Sequence, residues 1–283
     1  MFHKRLLQTI IVVLTLTFFQ PAIAEPKVVV GNAPVHSLVS ALMEGVGKPK
    51  LLIDSAAASH TELNPFQLAD LLTADMVVWA GAGYESAVDK ALTGMPQLEN
   101  KLLTLSNYVP LLPREGYDPL SSTRQANRDL RFWSDPKLAV MAVRLVTPRL
   151  VRLDPDNTER YLDNEIALLA KIKSLGKEVA QLLEPYTFTA DVDLNAVDPY
   201  FKNRFLANKL YLRGEGNFKK VANSTTGKTA CKVSIGNTRI LPGSSHYFEM
   251  LRTTARSVTS CMRESHNSIK TTKAISHSSH MGG

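Results

Sequence analysis

Ala56–Asp70 reads AAASHTELNPFQLAD, a small-residue loop that runs into a helix start. Asn64 stands where an N-cap should, and Pro65 suits the first helical position. Phe66, Leu68, Leu71 and Leu72 then supply an apolar helical face over Pro65–Thr73. Just upstream, Leu51-Leu52-Ile53 is short and apolar, as in a buried strand. The order strand, loop, helix places His60 in a loop at the carboxyl end of a strand. That edge is where open α/β sheets bind ligands. A neutral imidazole there is a candidate metal ligand, and a solvated loop histidine is the plain alternative.

Working outward, the same unit repeats. Lys27–Val30 (KVVV) is β-branched and strand-like, and Gly31-Asn32 turns it. Pro34 opens a helix with Val35, Leu38, Val39, Leu42 and Met43 at helical spacing, ended by Gly45 or Gly47. Asp75–Gly81 is a third strand, Tyr84–Leu92 a helix and Leu102–Leu105 a fourth strand. Alternating strands and helices with short links predict a parallel sheet with right-handed crossovers.

Tyr108–Asp135 is rich in Pro, Ser, Arg and Asn and reads as a long loop. Pro136–Leu153 is helical, with a kink expected at Pro148. Asp154-Pro155 begins a long helix to about Leu183, capped by Asp154. Its apolar stripe is read as Leu162, Ile166, Leu169, Ile172, Leu175, Val179 and Leu182. At about 28 residues it would span roughly 42 Å, enough to cross one lobe and join two. Beyond Pro185 the text is less regular: an aromatic segment at Pro199–Leu206, a short strand near Cys231–Ile235 and an amphipathic helix over Ser244–Met262. Ser265–Gly283 is polar, basic and rich in Ser, Thr and His, and is read as a disordered tail.

Several functional classes are narrowed by composition and motifs. Met1–Ala24 has a basic start (His3, Lys4, Arg5), an apolar stretch Leu6–Phe19 and an A-x-A site at Ala22-Ile23-Ala24, the pattern of an export signal. Export to an oxidising compartment makes Cys231 and Cys261 an expected disulfide, closing a loop of about 30 residues and contributing on the order of 3 kcal/mol. The chain has 33 basic and 26 acidic residues, with the excess after Lys202. It shows no basic stripe interleaved with aromatics, so nucleic acid is not an expected partner. P-loop, H-E-x-x-H and G-x-S-x-G motifs are absent from the sequence, and no enzyme is expected.

Four stretches carry a family resemblance: PVHSLVSALMEGVGKPKLL, SHTELNPFQLADLLTADMVVWAGAGYESAV, FWSDPKLA followed by LDPDNTERYLDN, and GSSHYFEMLRTTARSVTSCM. In order, spacing and helix endings the chain resembles the zinc-uptake solute-binding proteins of bacterial ABC transporters, the ZnuA type. The likeness covers nearly all of Lys27–Leu183 and returns in Pro242–Met262. It implies an α/β fold of two lobes with parallel sheets, joined by one long helix, that binds metal in the cleft between the lobes. It further implies a periplasmic monomer that delivers zinc, or less often manganese, to a membrane permease. The organisation expected is a signal peptide over 1–24, a first lobe over 25–153, a linker helix over 154–184, a shortened second lobe over 185–264 and the tail over 265–283.

Carried over residue by residue, the family's first metal-binding histidine matches His60. The second falls two residues before the tryptophan of DLRFWSDP, where this chain has Arg131. The third falls in LNAVDPYF, where Asn195 stands. The family's carboxylate ligand in the second lobe has no safe equivalent. A guanidinium stays protonated and cannot ligate zinc, so Arg131 suits an anion or a metal chelate. A degenerate paralogue that binds such a ligand, or a partner protein, is therefore the alternative to a zinc receptor. His36, in the first turn of its helix, is a second metal candidate or a packed helix histidine. His246 reads as a surface residue near the start of the last helix. His266, His277 and His280 form a tail tract that would collect zinc weakly.

Overall fold

A computed structural model gives the fold and describes residues 25–54, 62–114, 127–186, 192–207, 231–233 and 243–278. Met1–Ala24, read as the export signal, lies outside them.

Strands β1 (Val28–Asn32), β2 (Lys50–Ile53), β3 (Met76–Trp79) and β4 (Leu102–Thr104) form one sheet in the order β2-β1-β3-β4. All three pairings are parallel, as the alternating pattern requires, with Val29 opposite both Lys50 and Val77, and Val78 opposite Leu103. The period-2 geometry of strands divides the side chains between two layers. Val28, Val30, Met76 and Val78 join α1 (Ala33–Leu42), α4 (Pro136–Leu153), α5 (Thr158–Leu183) and α7 (His246–Ser278) in the larger core. Val29, Val77 and Trp79 face α2 (Pro65–Thr73) and α3 (Ser86–Thr93) through Leu71 and Val88.

Each helix start has a local cause. Asn32 accepts a hydrogen bond from Val35 N (3.1 Å) to cap α1. Asn64 accepts from Phe66 N and Gln67 N, while Gln67 Oε1 accepts from Asn64 N, a complete capping box before α2. Asp135 caps α4. That helix is assigned without a break from Pro136 to Leu153, Pro148 included.

The long helix departs from expectation in two ways. Asp154 heads a 3-10 turn, Pro155–Asn157, and not the α-helix itself. Its carboxylate accepts from Asn157 Nδ2 (2.8 Å) and Tyr161 Oη (2.9 Å). The buried stripe of α5 is Tyr161, Leu168, Ile172, Leu175, Val179 and Leu183, whereas Leu162 is 44 % and Ile166 69 % exposed. A helix advances 100° per residue, so a stripe anchored one residue earlier, on Tyr161, turns Leu162 and Ile166 outward.

After α5 come β5 (Val192–Asp193), a short turn α6 (Pro199–Phe201) continued by a wider turn over Lys202–Leu206, and β6 (Cys231–Lys232), which pairs in parallel with β5. The last helix buries Tyr247, Leu251, Ala255, Val258, Cys261 and Met262, and Arg252 holds both carboxylate oxygens of Glu178 on α5 through its Nε–Nη2 edge at 2.9–3.2 Å. Cys261 is disulfide-bonded. The backbone stays helical to Ser278, where a disordered tail was expected from residue 265; no glycine or proline interrupts His246–Ser278. No helix among the described residues is long and apolar enough to cross a membrane.

The order β2-β1-β3-β4 reverses direction between β1 and β3, and the crevice at the carboxyl ends of such a pair is the ligand edge of this architecture. Glu85 plugs that point. It is fully buried, and it accepts from Asn32 Nδ2 (2.7 Å), Ala80 N (2.8 Å) and Gly81 N (3.0 Å). One carboxylate thus ties the end of β1, the cap of α1 and the turn after β3. Two glycines make room. A Cβ on Gly31 would stand 2.3 Å from Glu85 Oε1, and one on Gly81, whose φ is +138°, would stand 2.6 Å from Ser106 Oγ. Burial pushes the Glu85 carboxyl from its ordinary 4.5 up to about 7, against the pull of its three donors.

A raised carboxyl value means that the folded chain holds a proton the unfolded chain has lost. Glu85's contribution to stability is then complete below about pH 4.5 and lost as pH rises through about 7. Glu85→Gln should abolish that slope in urea midpoints measured from pH 5 to 8. It should also cost about 1–3 kcal/mol at pH 5, because an amide NH2 would face existing donors. Equal pH slopes for the two proteins would refute the assignment.

Candidate functional site

The His60 loop connects two fixed ends. On one side Ile53 pairs with Asn32 at the end of β1. On the other, the capping box at Asn64 is tied back to the sheet by Gln67 Nε2, which donates to Leu52 O at 2.6 Å. Glu62 is ion-paired with Lys90. His60 itself, in 55–61, lies outside the described residues. Its anchors stand at the ligand edge, beside the Asn32–Glu85 plug.

Across that edge, the segment before α4 carries Asp129 and Arg131. The Arg131 backbone N and Nε both donate to Asp129 Oδ1, at 2.9 and 3.0 Å, and Nη2 donates to Oδ2. Nε also lies 3.3 Å from Asp198 Oδ2. Asp198 caps α6 by accepting from Tyr200 N (2.9 Å). Burial pushes the Asp198 carboxyl up to about 6, with Arg131 opposing the shift. The Asp129 hydrogen bonds hold the Arg131 guanidinium above its usual range. Tyr84 packs edge-on against Trp133 (4.9 Å between centroids), and burial raises its phenol to about 12. Tyr200 Oη donates to Asp129 O and accepts from Leu112 N at 2.9 Å.

This arrangement changes the reading of Arg131. The sequence casts it as a free cation for an anionic ligand, but two carboxylates already share its guanidinium. The triad has one positive and two negative formal charges, a poor receptor for a further anion. Asn195 lies in the exposed turn between β5 and α6. His36 is buried within α1, with Nε2 3.0 Å from Pro49 O and Nδ1 3.5 Å from Ser40 Oγ, and burial lowers its pKa. Its ring nitrogens therefore face backbone and hydroxyl groups of the scaffold, as for a packed helix histidine. His246 starts α7 and is half-buried. His266 and His277 fall on the later turns of α7, and His280 lies outside the described residues. Among the described residues, no three His, Cys, Asp or Glu side chains form a metal-holding group.

Reading the sequence missed Glu85, Asp129 and Asp198. The Asp198-Pro199 pair had a detectable signal, since it repeats the cap-then-proline order of Asn64-Pro65 and Asp135-Pro136. No local pattern marked Glu85 as buried.

The chain is 27 % identical over 214 residues to the high-affinity zinc uptake system protein ZnuA of Brucella abortus, covering 63 % of this chain and 64 % of that one. Against ZnuA of Bacillus subtilis it is 28 % identical over 150 residues, 51 % of this chain and 47 % of that one. The chain thus spans less than two thirds of the length of these relatives. Among solved structures, the periplasmic zinc-binding protein TroA of Treponema pallidum superposes with TM-score 0.54 at 19 % identity, covering 64 % of each chain. The solute-binding protein FpvC of P. aeruginosa, solved with Ni2+, gives TM-score 0.62 at 15 % identity and covers 86 % of this chain and 98 % of that one. The fold is therefore the α/β architecture of periplasmic metal-binding proteins, with α5 as its long helix. The family described as "Zinc-uptake complex component A periplasmic", ZnuA, matches residues 28–206, and the chain belongs to that family.

Proposed function

We propose that this chain is the periplasmic solute-binding component of an ABC metal-uptake system, with zinc as its transported ligand. The family match over residues 28–206 carries the reading. The anchoring of the His60 loop at the carboxyl edge of the sheet, next to the end of β1, supports it. In this reading residues 1–24 direct export, 25–153 form the first lobe, 154–184 the linker helix and 185–264 a shortened second lobe. The near-complete coverage of FpvC, 98 % of that chain, supports a compact version of the fold. The partner is a membrane permease, the receptor acts as a monomer, and manganese is the second candidate ion. The chain performs no chemistry on its ligand. His60 is the principal metal ligand; an imidazole in a loop at the ligand edge suits zinc. Receptors for anions or metal chelates draw less support, because Arg131 is already paired with Asp129 and Asp198.

Calorimetric zinc titrations should use a background in which His266, His277 and His280 are alanine, so that only the body is measured. His60→Ala should weaken binding by at least about tenfold, or about 1.4 kcal/mol. Wild-type affinity in that variant would remove His60 from the site. In the same background Arg131→His adds an imidazole beside two carboxylates and removes a fixed positive charge. It should tighten zinc binding; unchanged or weaker binding would show that an imidazole at position 131 adds no net ligand to the site.

The partner of Cys261 in this reading is Cys231, whose strand β6 packs against α7. Non-reducing peptide mapping of periplasmic protein should recover the linked pair, and two alkylatable thiols would contradict it.

A further inference from the structure

Residues 192–207 follow the long helix, yet they are fastened to the segments on either side of residues 115–126 by several polar links. Arg131 reaches Asp198. Tyr200 Oη bonds to Asp129 O and to Leu112 N. Arg204 Nε lies 3.4 Å from Asp135 Oδ1, at the cap of α4. Beneath these links Phe132, Tyr200, Phe201 and Leu206 are fully buried in one core.

We propose that Arg131 is a built-in cation that latches the segment after the long helix to the wall of the cleft, linking Asp129 and Asp198 as a bound cation would. The identification of this contact as a cross-lobe one rests on the two-lobed reading above; the latch itself does not depend on zinc. The geometry fits arginine in particular. Nε and Nη2 lie on one edge of a rigid plane and match both oxygens of Asp129, while Nε is also shared with Asp198. A lysine ammonium, a point charge on a flexible stem, offers no such edge. The carboxylates are the sheltered members, with side chains 5 % and 14 % exposed, and Arg131 at 44 % covers them from the solvent side. The receptor is then held together at this contact before any ligand arrives, and its ligand need not drive the closure.

Hydrogen exchange of the whole chain in EDTA tests the latch. Peptides covering 197–206 should be protected in the wild type. Arg131→Gln and Asp198→Asn should each speed their exchange by about tenfold or more, while β1, β3 and α5 stay protected. Asp198→Asn keeps an oxygen for Tyr200 N and so isolates the charge; it decides the matter alone should Arg131→Gln not fold. The double variant should exchange no faster than the faster single, as expected for two members of one link. Wild-type exchange in Asp198→Asn, or multiplying effects in the double variant, would overturn the latch. Zinc titration of the same samples reports on the metal reading separately, so failure of one leaves the other standing.

Discussion

A fully buried carboxylate at the switch point of the sheet is the constraint on which the rest of the site depends. Burying Glu85 is unfavourable unless its oxygens are satisfied, and three N–H donors from two strand ends and a turn satisfy them. The same contacts fix the cap of α1 and the turn after β3. Gly31 and Gly81 follow as consequences, since any side chain at either would strike the plug or Ser106. Asn32 also pairs with Ile53, so the plug is coupled to the strand that launches the His60 loop.

Much of this frame was legible in the sequence, for a specific reason. Asn32, Asn64 and Asp135 each stand just before a proline-bearing helix start, and each caps its helix as their chemistry requires. The β-branched runs between those caps alternate faces, and both faces are covered by helices. Local rules therefore determine order, direction and ends. They do not determine which side of a long amphipathic helix is buried. In α5 the stripe containing Leu162 and Ile166 competes with the one containing Tyr161, and Tyr161 wins because its hydroxyl reaches Asp154 and its ring fills the core. The same limit hid Asp129 and Asp198. Asp198 finds its partner in Arg131, far away in the chain, and Asp129, although only two residues from Arg131, is buried by that same distant segment, so neither leaves a trace in local spacing.

The charge pattern at the ligand edge separates two questions that sequence reasoning merged. Substituting arginine for a histidine ligand looks, in one dimension, like conversion from cation binding to anion binding. In three dimensions the guanidinium arrives with its own counter-ions, and two carboxylates outnumber it. The local field is therefore no invitation to an anion, although arginine supplies no imidazole donor there. Compensation by His36 is disfavoured by the scaffold, because its ring is engaged with Pro49 O and Ser40 Oγ inside a packed layer.

A ligand that bridges two lobes supplies both recognition and cohesion, and a protein can assign those tasks to different groups. Here the cohesive groups are internal: Arg131 with two carboxylates, the Tyr200 hydroxyl between two backbone segments, and Arg204 at the cap of α4. Cohesion of that kind lowers the number of protein ligands a metal must find in order to be held in a formed cleft, because the ordering cost is met by contacts present before binding. A shortened second lobe is compatible with the same economy. In the proposed organisation such a lobe, with less surface of its own to bury, would depend on links to the first lobe and on its final helix more than on a large independent core. In the proposed reading recognition would fall to the loop at the end of β2, whose two ends are tied by Gln67 and by the strand pairing at Ile53.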